Sequence, residues 1–281
     1  MGSRWRSSSE TARLPRYVLR ELGLWASLYP AYLAVRGWSI AKPAEAVGDA
    51  RTLIQAERSL GLLHEAAVQR VSGQADEFFA AYYMLGFGPL VAAVLVWLSV
   101  RHRQLYGELR TLLFLSLAIA LLGYVFFPTA PPRLIPGLGI DDTVGLSRGH
   151  DVGSFAGIRF DPYAAMPSMH VGWGVLIAVI GVRAVRNAWL RGLFVVHPLL
   201  MAVTVTATGN HYFADSIAGA AIAFAALGVV AAAPTIQRFL LNGLRGGAVS
   251  APYAYPAPVM ELCASRRSGP DAPAGDVRRA A

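Results

Sequence analysis

The sequence predicts an all-α membrane protein, folded as a bundle of six transmembrane helices. Two observations support this prediction. Hydrophobic residues make up 55% of the chain and charged residues only 15%, whereas a soluble domain has about 25% charged residues. The apolar residues also fall into long runs, and a run of about 20 such residues is long enough to cross a bilayer as a helix.

Six apolar runs follow one another and define a membrane domain over residues 17–235. The first is short, but Arg20 and Arg36 flank it and can extend to the two interfaces. The runs are 22–35, 78–100, 111–127, about 166–183, 192–210 and 213–234. The basic residues 1–16 and the Pro-, Ala-, Gly- and Arg-rich residues 246–281 are predicted to be disordered.

Two longer segments separate some of these runs. In residues 36–76, apolar side chains recur at helical spacing until Gly61 interrupts them, which predicts one or two amphipathic helices at the membrane surface. The recurring residues are Val47, Ala50, Leu53 and Ile54. Residues 128–162 begin with PTAPPRLIPGLG, and this proline and glycine content predicts a long external or re-entrant loop.

The distribution of arginine predicts the orientation. Six spans place both termini on one side, and that side, with the turns 101–110 and 183–191, carries 17 Lys or Arg against 8 on the other. Because cytoplasmic loops carry the excess of basic residues, both termini are predicted to be cytoplasmic and the 128–162 loop to face outside. The preference for arginine and alanine indicates a GC-rich bacterial genome.

The composition also argues against several other classes of protein. The net charge is +8, but no aromatic-basic motif or recognition helix accompanies it, so nucleic acid is not an expected partner. Cys263 is the only cysteine, which excludes a disulfide framework and a thiolate metal site. The first apolar run follows five arginines and lacks a cleavage signal, so it is predicted to be a retained span.

Two short stretches each place a histidine near the start of an apolar run. YAAMPSMHVGW (163–173) contains His170, and TGNHYFADSIA (208–218) contains His211. Asp215 follows His211 by four residues, so on a helix its carboxylate lies on the same face and can orient the imidazole. Ionisable residues at the mouth of a membrane span are costly and usually functional.

The groups around these histidines predict a phosphate site at the outer face. Both runs begin there, and the free N–H groups and dipole of a helix N-terminus favour an anion. Pro167 suits the first helical turn, and Ser168 can cap that turn or donate to a ligand. Arg133, on the proline-rich loop, can neutralise the same anion with its forked guanidinium. This set describes a phosphate site better than a metal site.

These segments resemble the type 2 phosphatidic acid phosphatase superfamily, and within it the inositol phosphorylceramide synthase-like phosphotransferases. PSMH (167–170) matches the PSxH motif of the family, and HYFAD (211–215) matches the H-x-x-x-D core of its last motif. PTAPPR (128–133) resembles the arginine-containing first motif of this branch, and AERSLGLLHEAAVQ (56–69) is also similar to it. The resemblance covers about residues 17–235.

The resemblance implies phosphoryl transfer from a lipid phosphoester in the bilayer, without a metal or other cofactor. His211 would attack phosphorus and form a phosphohistidine, while Asp215 would hold its tautomer and stabilise the positive imidazole. His170 would protonate the leaving oxygen and later deprotonate the acceptor. Arg133, with Ser168, would bind phosphoryl oxygens, over which the charge of the transition state spreads.

The sequence departs from the family pattern at two cations. Phe126 stands where the first motif has a lysine, and Thr204 and Val205 stand where the last motif has Ser-Arg. A phosphodiester carries one charge fewer than a phosphomonoester, so the loss favours phosphotransferase chemistry on a lipid phosphodiester, including inositol-phosphate transfer. Arg159, upstream of PSMH, is a candidate for the missing phosphate-binding charge, although an ordinary loop arginine is the favoured interpretation there.

Three alternatives remain open from the sequence. The first is a lipid or polyprenyl phosphate phosphatase of the same superfamily, with water as the acceptor. The others are a non-catalytic lipid-binding or transport membrane protein and a metal-dependent hydrolase that uses the same histidines. Asn210 is expected to be a helix-entry residue and His197 a structural one, and the loop carboxylates are expected to be solvated. Those carboxylates are Asp141, Asp142, Asp151 and Asp161. The sequence does not indicate an oligomeric state.

Overall fold

A computed structural model describes residues 8–145, 154–155, 158–159 and 161–244, with side chains for 19–145 and 161–234. These residues form an all-helical fold with one minimal hairpin, which confirms the predicted all-α class. The helices are α1 (Ser8–Ile40), α2 (Pro43–Ser59), α3 (Glu65–Ser72), α4 (Asp76–Leu85), α5 (Gly88–Arg101), α6 (Arg103–Phe126), α7 (Met169–Ala184), α8 (Ala188–Ala207) and α9 (Phe213–Leu244). Short 3₁₀ turns span Gly73–Ala75 and Pro132–Leu134, and β1 (Ser154–Phe155) pairs antiparallel with β2 (Ile158–Arg159).

The chain divides into two compact units, Met1–Ala226 and Leu227–Ala281. All the residues discussed below as a site belong to the first unit. The predicted disordered tail, 246–281, lies outside the described residues.

Three of the described helices are long and apolar enough to cross a membrane. They are α6, α8 and the Phe213–Pro234 part of α9. Glu65–Leu85 and Gly88–Arg101 pass the same test as a pair bent by 45°, which gives a fourth span if the pair crosses as one. α7 is apolar but only 16 residues long. By length and composition the described helices therefore support three or four spans, so the predicted count of six is not confirmed.

The predicted span over 78–100 is broken in the structure, because α4 ends at Leu85 and α5 begins at Gly88. The intervening sequence GFGP explains the break. A Cβ on Gly86 would lie 2.7 Å from the Tyr82 carbonyl oxygen, and Pro89 falls in the first turn of α5, where its missing N–H costs no helical hydrogen bond. The break leaves Phe87 between the two helices.

α1 begins at Ser8, so residues 8–16 are helical where the sequence predicted disorder. Glu10, Ala12, Arg13 and Leu14 are good helix formers. Further along α1, the buried Glu21 forms an ion pair with Arg110 of α6 and accepts a hydrogen bond from Tyr106 at 2.8 Å. These contacts hold α1 against α6.

The two helices predicted within 36–76 are present as α2 and α3, and Gly61 interrupts them at a φ of +68°. The apolar stripe of α2 packs on other parts of the protein. Its buried cluster consists of Ala46, Ala50, Leu53, Ile54, Ala130 and Tyr212. The Ala130 N–H also donates to the Ala46 carbonyl at 3.0 Å. α2 therefore covers the loop that follows α6.

α7 and α9 cross where two glycines meet. A Cβ on Gly172 would lie 2.7 Å from the Gly219 carbonyl oxygen, and a Cβ on Gly219 would lie 2.9 Å from the Ser168 carbonyl carbon. Only a residue without a side chain allows backbones to approach so closely. A Cβ on Gly123 of α6 would likewise lie 2.9 Å from Cδ of the Pro167 ring. The PSMH segment is thus held between α6 and α9.

Candidate active site

Three segments predicted from the sequence, 128–133, 163–170 and 208–215, are joined by backbone hydrogen bonds. Thr129 N–H donates to the Tyr163 carbonyl at 2.7 Å, and Arg133 N–H donates to the Gly209 carbonyl at 3.1 Å. Ser168 N–H donates to the Asp215 carbonyl at 2.9 Å. Each segment therefore contacts the other two directly, although about 80 residues separate the first from the last.

The imidazole of His211 is held through Nδ1 by two acceptors. The Ala165 carbonyl oxygen lies 2.7 Å from Nδ1, and Asp215 Oδ2 lies 3.3 Å from it. Because both partners are acceptors, Nδ1 carries the proton and the lone pair of the neutral ring is on Nε2. Asp215 Oδ2 also accepts the Tyr212 N–H at 2.9 Å. The tautomer thus rests on a backbone carbonyl as well as on the carboxylate that the sequence indicated.

His170 lies beside His211 and is packed between two aromatic rings. The two imidazole centroids are 5.4 Å apart. Tyr83 of α4 stacks on His170 at 4.5 Å, and Phe87, from the break between α4 and α5, lies 4.2 Å from it. These rings restrict the orientation of the His170 imidazole.

Arg133 is buried next to the last motif. Its Nη1 donates to Asn210 Oδ1, and the Asn210 amide is held in turn by Thr208 Oγ1 at 2.8 Å. Arg133 Nε is buried without a hydrogen-bond partner. Burial lowers the pKa of the guanidinium, which remains high enough for a permanent charge. Asn210, expected only as a helix-entry residue, orients this cation.

Ser168 is the N-cap residue of α7, but its side chain makes no capping hydrogen bond. Its Oγ is buried and has no partner, so of the two roles predicted for it, only donation to a ligand remains available. Pro167 precedes the N-cap and follows a cis peptide bond. The prediction that Pro167 occupies the first helical turn is therefore wrong, because α7 starts two residues later.

The N-terminus of α9 is occupied by carboxyl groups, in contrast to the prediction that both helix N-termini are open to an anion. Phe213 N–H donates to Glu65 Oε1 at 3.2 Å, and Ala214 N–H donates to Glu57 Oε1 at 2.7 Å. The Phe213 and Ala214 N–H groups are therefore bonded within the protein and are not available to an anion. Of the two helices that carry the histidine motifs, α7 is the one whose first turn has no side-chain cap.

Arg159 and Asp161, both in the 128–162 segment, were predicted to be a phosphate-binding candidate and a solvated carboxylate respectively. Arg159 is in β2, and its side chain lies outside the described part of the structure. Asp161 is buried and not solvated as predicted: its Oδ1 accepts hydrogen bonds from Ser39 Oγ at 2.8 Å and from Tyr163 N–H at 3.0 Å. Burial raises the pKa of Asp161. Its contacts fasten the end of α1 to the segment that leads into PSMH.

The positions where the family carries additional cations are apolar or neutral here. Phe126 is 78% exposed and lies at the surface of the bundle. Val205 is fully buried, and Thr204 Oγ1 donates to the Leu200 carbonyl at 2.7 Å within α8. Arg133 donates to Asn210 of the last motif segment. Among the residues that the structure describes, no three His, Cys, Asp or Glu side chains come together as metal ligands would.

Several residues that shape this site were not predicted. Glu57 could have been identified from the sequence, because this residue follows Leu53 and Ile54 on the buried stripe of α2, where a carboxylate is unexpected. Tyr83 and Phe87 are separated by four residues but looked like ordinary membrane-span aromatics. The Ala165 carbonyl is a backbone group, which no residue pattern identifies.

The fold and these groups define a helical membrane protein with two histidines, a carboxylate and an arginine gathered in one site. A family model described as PAP2 superfamily matches residues 51–229, more than half of the chain. The chain therefore belongs to the PAP2 superfamily and is a phosphatase or phosphotransferase of that superfamily. No curated protein matches it. The crystal structure of Aquifex aeolicus LpxE is similar, with a TM-score of 0.44 and 17% identity over 59% of this chain and 90% of that one.

Proposed function

We propose that this protein transfers a phosphoryl or phospho-polyol group, such as inositol phosphate, between lipid-linked substrates. The observation that supports this proposal is the pair of imidazoles 5.4 Å apart, with His211 Nδ1 fixed so that Nε2 is free. Arg133 Nε and Ser168 Oγ are buried beside them without partners. A bound phosphoryl group would satisfy both of these donors, because buried polar groups are nearly always hydrogen-bonded.

In the first step, His211 Nε2 attacks phosphorus and the bond from phosphorus to the lipid oxygen breaks. His170 gives its proton to that oxygen, so the lipid leaves as an alcohol. The phosphohistidine retains the headgroup. Asp215 and the Ala165 carbonyl hold the Nδ1 proton and stabilise the cationic ring, while Arg133 and Ser168 bind the phosphoryl oxygens.

In the second step, neutral His170 takes the proton of an acceptor hydroxyl. The acceptor oxygen attacks phosphorus, the phosphorus–nitrogen bond breaks, and His211 returns to its neutral form. Both imidazoles then have their initial protonation states. A lipid hydroxyl as acceptor gives a transferase, and water gives a hydrolase.

The charge of the site favours a phosphodiester as donor. A phosphomonoester carries close to two negative charges at neutral pH and a phosphodiester carries one. Phe126, Thr204 and Val205 supply no charge where other family members have lysine or arginine, and Arg133 is a single cation. The amides that start α9 are also taken up by Glu57 and Glu65. One arginine with one open helix N-terminus matches one negative charge better than two.

Purified protein is expected to make a new phospholipid from phosphatidylinositol and a lipid alcohol, without release of free phosphate. The test is a panel of phosphatidylinositol, phosphatidic acid and polyprenyl phosphate, assayed for free phosphate and new lipids with and without a chelator.

Arg133→Met is expected to lower turnover in the same assay by about 10²–10³-fold, as when one donor to a developing oxyanion is removed.

The other outcomes of this panel identify the alternatives. Free phosphate from the monoesters alone would indicate the lipid phosphate phosphatase. Loss of activity in chelator would indicate the metal-dependent hydrolase. Absence of turnover on every lipid, with the fold intact, would leave the non-catalytic membrane protein.

We also propose that the domain over 17–235 crosses the membrane six times, with α1, the bent α4–α5 pair and α6 to α9 as spans. In this topology both termini are cytoplasmic and the site is at the outer face. In a Cys263→Ser background, Ile140→Cys is expected to react with an impermeant maleimide in intact cells, and Leu105→Cys only after permeabilisation. The opposite labelling pattern would place the site on the cytoplasmic side.

A further inference from the structure

Segment 56–69, similar to the phosphotransferase branch but without an assigned role, supplies three buried polar side chains. Glu57 and Glu65 are each only 1% exposed and accept the Ala214 and Phe213 N–H groups. Gln69 donates through Nε2 to the Ala207 carbonyl at 3.0 Å and exchanges two hydrogen bonds with the backbone of Asp141. All three hold the backbone of the loops that carry the site.

The two carboxyl groups also lie next to each other, because they accept the N–H groups of the consecutive residues Phe213 and Ala214. Glu57 Oε2 has no donor. No cation forms an ion pair with either glutamate among the described residues. Two ionised carboxylates in such contact repel strongly, so a proton shared between them is the arrangement that satisfies both groups.

We propose that Glu57 and Glu65 form a proton-sharing carboxyl clamp that positions the nucleophile by holding the first turn of α9. The clamp acts through the backbone of Phe213 and Ala214, which directly follow His211 and Tyr212. Both glutamates are therefore positioning residues for the reaction proposed above, on which this inference rests. The clamp also removes the amides of α9 from the substrate, so that the phosphoryl group is directed to Arg133, Ser168 and the start of α7.

The clamp is expected to weaken in alkaline solution. Burial and the neighbouring Glu65 raise the pKa of Glu57 to about 8, above its ordinary value of 4.5. Because the folded state binds this proton more tightly than the unfolded state, the stabilisation is complete at acidic pH and is lost as the pH rises through about 8. The charged groups that face Glu57 are Glu65 of α3 and Asp215 of α9, and both oppose its ionisation.

The experiment compares four forms of the full-length protein in detergent: wild type, Glu57→Ala, Glu57→Gln and Glu45→Gln. Glu45 is an exposed residue of the same helix and serves as the control. Hydrogen exchange of the peptide that covers residues 208–220 reports the clamp without any need for activity. Turnover of the active lipid substrate from the panel, as kcat and KM between pH 6 and 9.5, reports the effect on chemistry.

Glu57→Ala is expected to raise exchange of this peptide by about tenfold or more and to lower kcat by about 10²-fold, as for a nucleophile displaced by about 1 Å. KM should change little. Glu57→Gln keeps an acceptor for Ala214 and a donor for Glu65, so it should retain protection and kcat and lose the alkaline fall near pH 8. Glu45→Gln should resemble wild type in every measurement.

Unchanged exchange in Glu57→Ala would overturn the clamp whatever the activity, and so would a Glu57→Gln variant that keeps the alkaline fall. If wild type turns over no lipid, the proposed function fails, and the exchange data still decide the clamp. A Glu57→Ala protein that does not fold is replaced by Glu65→Gln, which keeps the acceptor for Phe213. It is expected to keep protection and lose the pH dependence, and loss of protection would overturn the proposal.

Discussion

His211→Ala is expected to lower turnover by at least about 10⁴-fold, because the proposed covalent intermediate cannot form without the imidazole. The variant should fold, since the His211 ring contributes one hydrogen bond to the Ala165 carbonyl and one contact to Asp215. The measurement is single-turnover labelling with a substrate that carries ³²P. Wild type should yield an acid-labile, base-stable phosphoprotein, and His211→Ala should yield none.

A second variant, Asp215→Asn, tests how much the carboxylate contributes to turnover in comparison with the His211 imidazole. The Ala165 carbonyl, at 2.7 Å, continues to hold the Nδ1 proton when the carboxylate is neutralised. The loss is therefore expected to be smaller than for His211→Ala, on the order of 10²–10³-fold, and to come from weaker stabilisation of the cationic ring. His102→Gln, a histidine between α5 and α6, is the control and should retain full labelling. Label that persists in His211→Ala would exclude His211 as the nucleophile.

Gly219→Ala is expected to be the most damaging single-methyl substitution at the α7–α9 crossing. The new Cβ would lie 2.9 Å from the Ser168 carbonyl carbon, inside contact distance of the Ser168 oxygen, and 3.3 Å from Gly172 N. These are backbone atoms, so no side-chain rotation relieves the contact and the two helices must separate. Overpacking of this kind lowers the free energy of unfolding by about 1–3 kcal/mol.

The separation would also affect catalysis, because it moves His170 on α7 relative to His211 before α9. A displacement of about 1 Å costs on the order of 10²-fold in turnover. Gly228→Ala is the matched control, since a Cβ at that position of α9 meets no atom within 4 Å. Thermal unfolding in detergent, together with lipid turnover, measures both effects. A Gly219→Ala protein with the stability and turnover of Gly228→Ala would contradict the close crossing.

The residue pattern was sufficient to predict the components of the site. His170, His211, Asp215, Arg133 and Ser168 are all close together in the structure, as expected from two motifs at the start of apolar runs and a proline-rich arginine loop. A histidine and an aspartate four residues apart, at the mouth of an apolar run, are informative because ionisable side chains are costly there. Their chemical roles remain predictions for the experiments above.

Other predictions failed where a local pattern competes with a long-range contact. The run 78–100 is apolar throughout, and hydropathy does not register the break at Gly86 and Phe87 that brings an aromatic ring onto His170. Asp161 resembles a solvated loop carboxylate until Ser39, more than a hundred residues away in sequence, donates to it. The open N-terminus expected for α9 is occupied by Glu57 and Glu65, which come from two other helices.

The sequence by itself determined the membrane character of the chain, its helical class and the residue types available for chemistry, because hydropathy and motif spacing are local properties. Only the tertiary structure decided which groups are free to act. The Ala165 carbonyl fixes the tautomer of His211, Asn210 orients Arg133, and two carboxyl groups occupy the α9 amides while Ser168 is left unpaired. Hydrogen-bond partners in a buried site come from distant segments and backbone atoms, and their assignment depends on how the helices pack.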